Sequence, residues 1–213
     1  MSSCIDHLIV TAPSLEAGNA FVQQSLGVAP AGGGKHPRMG THNRLLRLGE
    51  GLFLEVIAVD PDAPVPGRPR WFGLDHMRQD TLPRLAGWVA RTERIESSAA
   101  ASTDDLGAIE AMTRGALTWR ITIPTDGELP LAGVAPALIE WDTDAHPTVL
   151  LPDHGLSLVE LQIFHTEPER LARLLQSIDF AGPVSILPLN AGATAFMIAH
   201  IATRSGIRQL KIA

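Results

Sequence analysis

Between Ile5 and Val59 the sequence runs strand, helix and then three strands, and the same order is readable twice more before residue 213. A repeated supersecondary unit narrows the choice of folds sharply, because each copy carries an apolar face that only a neighbouring copy can cover. In the first copy, Ile5 to Thr11 (IDHLIVT) is rich in β-branched residues and ends at Ala12-Pro13, where a ladder stops. Ser14 then caps a helix whose apolar positions Leu15, Ala20, Phe21 and Leu26 lead to a stop at Gly27. Val28 to Gly40 has much Gly and Pro and reads as a loop or irregular edge strand. Thr41–Leu48 and Leu52–Val59 read as strands joined through Gly49-Glu50-Gly51.

The stretch from Asp60 to Arg70 (DPDAPVPGRPR) is an extended proline-rich connector. Beyond it, a strand around LAGWVART, a short helix from Ser97 to Leu106 and strands at Ile109–Gly115, Leu117–Pro124 and Pro136–Asp142 repeat the order. Leu156–His165 opens a third copy. Glu167–Ile178 has Leu171, Leu174, Leu175 and Ile178 on one helical face, and short strands are expected at Val184–Leu187, Ala195–Ile201 and Gln209–Ile212. The expected organisation is a first βαβββ module over 1–60, a connector over 61–80, a second module over 81–145, and a third, partial unit over 155–213 packed on the same domain.

The segments IDHLIV, MGTHNRLLRLGEG and FLEVIAVD, followed by RPRWFGLD, LIEWDTDAHP and VELQIFHTEPERL, resemble the glyoxalase-like members of the vicinal oxygen chelate superfamily over nearly the whole chain. The resemblance implies an α+β fold in which paired βαβββ modules form an incompletely closed sheet around a cavity. It also implies a divalent metal (Zn, Ni, Mn or Fe) held by side chains of first and last strands, with His7 and Glu55 at the first-module ligand positions.

By the two-residue strand period, His7 shares a face with Ile9 and Thr11, and Glu55 with Phe53 and Ile57, so the pair can project from one side of a sheet. Otherwise His7 is a hydrogen-bonded core group and Glu55 pairs with Arg44 or Arg47, since a buried charge is either paired or bound to metal. In the second module Glu140 corresponds to Glu55 as a third metal ligand and general base, whereas Trp88 stands roughly where a metal-binding relative would place His or Gln. His42 and Asn43, after the Gly32-Gly33-Gly34 loop, and Trp88, Trp119 and Phe53 are the candidate substrate-binding residues. Asp75, His76, His146 and His154 read as linker or turn residues.

Hydrophobic residues make up 45% of the chain and charged ones 19%, which excludes disorder as the main state. A net charge of −6 with scattered Arg excludes a phosphate-tracking stripe, so no nucleic-acid partner is expected. With Cys4 alone, no signal-peptide pattern and no apolar run of about 20 residues, a cytoplasmic protein with no membrane partner is expected. The expected function is a glyoxalase-like lyase or isomerase acting on a small oxygenated metabolite, with a homodimer as candidate assembly. The alternatives are a ring-cleavage dioxygenase using His7, His42 and Glu55, and a non-catalytic pocket protein. The pocket protein would need a cavity of roughly 300 Å³ between Trp88, Trp119 and Phe53.

Overall fold

The computed structural model describes residues 2–143 and 146–211. The first module comprises β1 (Cys4–Thr11), α1 (Leu15–Leu26), β2 (Lys35–His36), β3 (Thr41–Arg47) and β4 (Phe53–Val59). The second comprises β5 (Arg84–Arg91), α2 (Ile95–Ala101), β6 (Ala108–Arg114), β7 (Leu117–Ile123) and β8 (Ala137–Trp141). Last come β9 (Ser157–His165), α3 (Pro168–Ser177), β10 (Val184–Pro188), β11 (Phe196–Thr203) and β12 (Gly206–Leu210).

Ser14 caps α1, its Oγ accepting the Ala17 N–H at 3.2 Å, and Gly27 closes the helix in the left-handed conformation (φ 81°). The second helix starts two residues earlier than the sequence suggests. Its first N–H, from Ile95, donates to the Glu140 carboxylate at 2.7 Å, so a side chain distant in sequence acts as the cap. The run from Val28 to Gly40 forms only the two-residue β2. The closing strand lies at Gly206–Leu210, because it forms a hairpin with β11; Asp144 and Ala145 of the expected second module, and Ile212 of the expected last strand, fall outside the described residues.

The first eight strands form one sheet in the order β2-β3-β4-β1-β5-β8-β7-β6. Within each module the first strand runs parallel to the last, and the modules meet through the antiparallel β1–β5 pair. The edges β2 and β6 approach each other across Arg38, which donates to the Ala111 carbonyl at 3.0 Å and pairs with Glu110, so the sheet curls into a nearly closed barrel. This is the α+β architecture expected.

The second sheet has the order β10-β9-β11-β12. Here β9 is parallel to β10, the strand immediately after α3, and not to the last strand as in the modules. The element order therefore repeats while the pairing does not. Its inner residues Leu161, Ile163, Met197 and Ile201 share one core with Leu8, Val22 and Trp88 from the outer side of the barrel. A separate apolar cluster, including Ile9, Ile57, Val89, Trp119 and Ile139, fills the barrel interior. Among the described residues no helix is long and apolar enough to cross a membrane.

Helix α1 lies so close to β4 that a Cβ on Gly18 would sit 2.3 Å from Val56 Cγ1 and 2.9 Å from Ala12 Cβ. Val56 is fully buried and stiff, so the contact cannot relax cheaply. Gly18→Ala is expected to destabilise the protein by about 1–2 kcal/mol in urea titration, despite the better helix propensity of Ala; a stabilised variant would contradict this packing.

Candidate functional site

Strand β1 carries a bulge between Ile5, paired with Ala90, and His7, paired with Val89. The residue left over is Asp6, and the local kink brings its carboxylate beside the His7 ring instead of onto the opposite face. Asp6 is fully buried. Its Oδ1 lies 2.6 Å from His7 Nδ1, while Oδ2 accepts from Trp141 Nε1 at 2.9 Å and lies 3.0 Å from His146 Nε2. Burial by itself raises the carboxyl pKa, but the hydrogen bonds and charge of His146 and His7 outweigh it and hold Asp6 well below the usual carboxylate range. An ionised Asp6 only accepts, which assigns the His7 Nδ1 proton to this bond and turns Nε2 toward β4.

Opposite stands Glu55, also buried, with Oε2 3.6 Å from His7 Nε2. Its other oxygen accepts from Asn43 Nδ2 at 2.5 Å. Asn43 is itself fixed by the glycine loop, since its Oδ1 accepts the Gly34 N–H at 2.8 Å and Arg114 NH1 at 3.1 Å. Gly33 has φ 91°, and a Cβ there would fall 2.1 Å from the Asn43 carbonyl oxygen, so the loop can lie on β3 only as glycine. A continuous polar chain thus crosses the barrel: Arg114, Asn43, Glu55, His7, Asp6, His146.

Aromatic rings enclose it. Phe53 stacks on His7 at 4.5 Å between centroids, and Trp119 stands 5.4 Å from Trp141. His36 on β2 meets the edge of Trp71 at 5.1 Å, and its Nδ1 lies 3.2 Å from Thr41 Oγ1. Burial pushes the His36 pKa down to about 4, and the nearby Glu55 charge only partly opposes this. The space enclosed among His7, His36, Glu55, Trp71, Trp119 and Arg114 is about 30 Å³, room for one or two water-sized groups. Arg114 also lines an open groove of about 810 Å³ together with Leu45, Leu117 and Leu151.

His7 and Glu55 converge, with Asn43, Phe53 and Trp119 around them. Three expected residues lie elsewhere. In the parallel pairs, His7 faces Phe53 and Ile9 faces Glu55, just as Val89 faces Ala137 and Arg91 faces Ile139. The second-module counterparts of His7 and Glu55 are therefore Val89 and Ile139. Trp88 and Glu140 are each one residue away, and a one-residue slip moves a side chain to the other face. Trp88 is buried in the outer core and donates to the Val134 carbonyl at 2.9 Å. Glu140 pairs with Arg120 at 2.7 Å and caps α2, leaving it neither metal ligand nor base for this site. His42 alternates with the inward Thr41 and Asn43 and is half-buried on the outer face, its nearby charges being those of Asp60, Lys35, Glu16 and Arg44.

Asp75 is tied to Arg70 and His76 lies at the surface beside Glu128. Conversely, His146 reaches the site from what the sequence suggested was a solvent-facing turn, and Asp6, His36, Trp71, Arg114 and Trp141 escaped notice. For Asp6 the adjacent His7 was the one available signal, and strict alternation argued against it.

The expected divalent metal is met by an incomplete donor set. His7 Nε2 and Glu55 Oε2 are two suitable ligands, but Val89 and Ile139 supply none from the second module, and among the described residues no cluster of three or more His, Cys, Asp or Glu is positioned to hold an ion. The side chains present do not fit a three-ligand centre. The facial arrangement of His7, His42 and Glu55 needed for a dioxygenase lacks His42, and a large pocket between Trp88, Trp119 and Phe53 is not assembled because Trp88 faces away.

A family model described as a glyoxalase-like domain matches residues 5–178. No curated protein matches the chain. Among solved structures, a hypothetical protein from Staphylococcus aureus aligns with a TM-score of 0.59 at 13% identity, covering 99% of this chain and 86% of that one. A mutant of 4-hydroxymandelate synthase from Streptomyces coelicolor aligns with a TM-score of 0.50 at 15% identity, covering 96% of this chain and 60% of that one. Methylmalonyl-CoA epimerase from Streptomyces coelicolor gives 0.46 at 16% identity, covering 67% and 100%. At these identities the likeness is one of fold alone.

Because His36 titrates near 4 in the folded protein and at its ordinary 6.5 when unfolded, the unfolded chain binds more protons between those values, so stability falls as pH drops through that window. The expected loss is up to about 3 kcal/mol. Urea titrations at pH 7 and pH 4 are expected to show a smaller difference for His36→Phe than for the wild type; equal differences would contradict the assignment.

Proposed function

The chain belongs to the glyoxalase-like domain family of the vicinal oxygen chelate superfamily, and on that footing we propose that it is a proton-transferring enzyme of lyase or isomerase type acting on a small oxygenated metabolite. The observation that carries this reading is the approach of Glu55 to His7 at 3.6 Å, with Asp6 anchored behind the imidazole. The gap is longer than a hydrogen bond, so both atoms are free to turn toward a carbon–oxygen group of a substrate lying alongside the pair.

In the proposed step Glu55 Oε2 takes a proton from the carbon next to a carbonyl. The C–H electron pair moves into the carbonyl to give an enolate, and a proton carried on His7 Nε2 is donated to the oxygen where charge develops. With Nδ1–H bonded to Asp6, a proton on Nε2 makes His7 an imidazolium, and the Asp6 carboxylate supplies its counter-charge and fixes the orientation of the ring. Asn43 fixes the rotamer of Glu55 through the oxygen that does not react. The indole and phenyl rings exclude bulk water, which strengthens each of these interactions.

Superfamily members typically use divalent metals. His7 and Glu55 are the pair such an ion would meet here, but the aliphatic Val89 and Ile139 support assigning the steps to side chains.

The test is exchange of the α C–H with solvent deuterium, followed by proton NMR over a panel of small α-hydroxy acids, α-oxo acids and their thioesters. Glu55→Gln is expected to slow exchange by about a hundredfold to ten-thousandfold. Dialysis of the wild type against chelator is expected to leave the rate unchanged. Undiminished exchange in Glu55→Gln, or a rate abolished by chelator and restored by a divalent ion, would overturn the assignment.

A further inference from the structure

We propose that the groove outside Arg114 binds the apolar chain of a free carboxylic acid whose carboxylate is held by the Arg114 guanidinium, making the substrate amphipathic. The class of substrate rests on the reading of Glu55 and His7 as the reacting pair; the binding site itself rests on the groove and Arg114.

The enclosed space at His7 and Glu55 is about 30 Å³, so it admits the reacting carbons and little else, and the remainder of any ligand must leave it. Arg114 lines both this space and the open groove of about 810 Å³, a volume within the usual range for small-molecule pockets. The groove is apolar: Leu45, Leu117, Leu150 and Leu151 face it, with the Gly33 backbone alongside. Leu150 and its neighbour Val149 are 80% and 71% exposed on a surface turn, an apolar rim that water solvates poorly. Of the two charged residues in the lining, Asp142 is paired at 3.5 Å with Arg120, which does not itself line the groove.

Arg114 is arranged to receive an anion. Its stem crosses the glycine loop where a Cβ on Gly34 would come within 2.9 Å of its Cδ, so the glycine admits the side chain at that level. Among the described residues Arg114 hydrogen-bonds through NH1 to the neutral Asn43 and forms no ion pair, while the Glu55 charge acts on it from beyond contact distance. A planar guanidinium keeps further N–H donors for a carboxylate, which it binds in two-pronged fashion. Asn43 links Arg114 at 3.1 Å to Glu55 at 2.5 Å, so a carboxylate on Arg114 lies one side chain away from the base.

The experiment is calorimetric titration of the whole protein with decanoate, oxodecanoate bearing the oxo group beside the carboxylate, decanol and pyruvate. Decanoate and oxodecanoate are expected to bind at least about tenfold more tightly than decanol, which lacks the charge, and than pyruvate, which lacks the chain. Arg114→Met is expected to weaken decanoate about tenfold and leave decanol unchanged, with Arg114→Lys recovering part of the loss. Leu150→Asp, at an exposed position that does not support the fold, is expected to weaken decanoate and decanol together. Equal affinity for decanoate and decanol, no gain over pyruvate, or decanoate binding indifferent to both Arg114→Met and Leu150→Asp would overturn the site. If oxodecanoate binds as expected but its protons next to the oxo group do not exchange, the site stands and the role of Glu55 fails. If pyruvate exchanges through Glu55 without any gain from a longer chain, the role of Glu55 stands and this site fails.

Discussion

The barrel interior is organised around one buried negative charge. A carboxylate such as Asp6 is costly to remove from water unless every acceptor position is used. Here the donors come from both halves of the molecule: His7 lies beside it on β1, Trp141 on β8 and His146 in the segment after β8, with Arg91 of β5 at 3.7 Å. Removing any of the three donors leaves one acceptor position of that buried charge unused. The bulge that positions Asp6 therefore does more than orient a ring, because it fastens the seam between the modules from within.

The polar groups that remain form a chain through otherwise apolar surroundings. Acidic Asp6 and Glu55 alternate with His7 and the neutral Asn43, ending at cationic Arg114 on the groove side. Each member is oriented by the next, so few rotamers are compatible with the whole set. A ring stacked on His7 and another set edge-on to His36 keep the chain in a poorly polarisable setting where charges act strongly. The resulting site is narrow at the reacting pair and wide beyond Arg114, a division that sorts the parts of a ligand by size and polarity.

His7, Glu55 and Phe53 were legible because the two-residue period within β1 and β4 settles which side chains share a face, and the parallel pairing of these strands keeps that alternation. The same period misled in the second module. The motifs align Trp88 and Glu140 with His7 and Glu55, whereas the register of β5 and β8 makes Val89 and Ile139 their counterparts. No local signal distinguishes these positions, since LIEW and GWVA read as well with either parity. Asp6 was missed for the opposite reason, because a bulge suspends alternation. His146 belonged to a turn whose course is decided by Asp6, a residue 140 positions away.

Local patterning thus determined where strands and helices fall, which face of each first-module strand is apolar, and that one unit is repeated. These depend on interactions spanning a few residues: caps, β-branched runs, and glycine and proline stops. Tertiary structure alone decided the register between modules, the bulge at Asp6 and the gathering of Asn43, Arg114 and His146 around Glu55 and His7. It also paired β9 with β10 rather than with the last strand, although the element order matched the modules. Strand pairing is a contest among segments far apart in the chain, won by the register that buries the most apolar surface and leaves the fewest polar groups unsatisfied, and no short stretch of sequence carries that comparison.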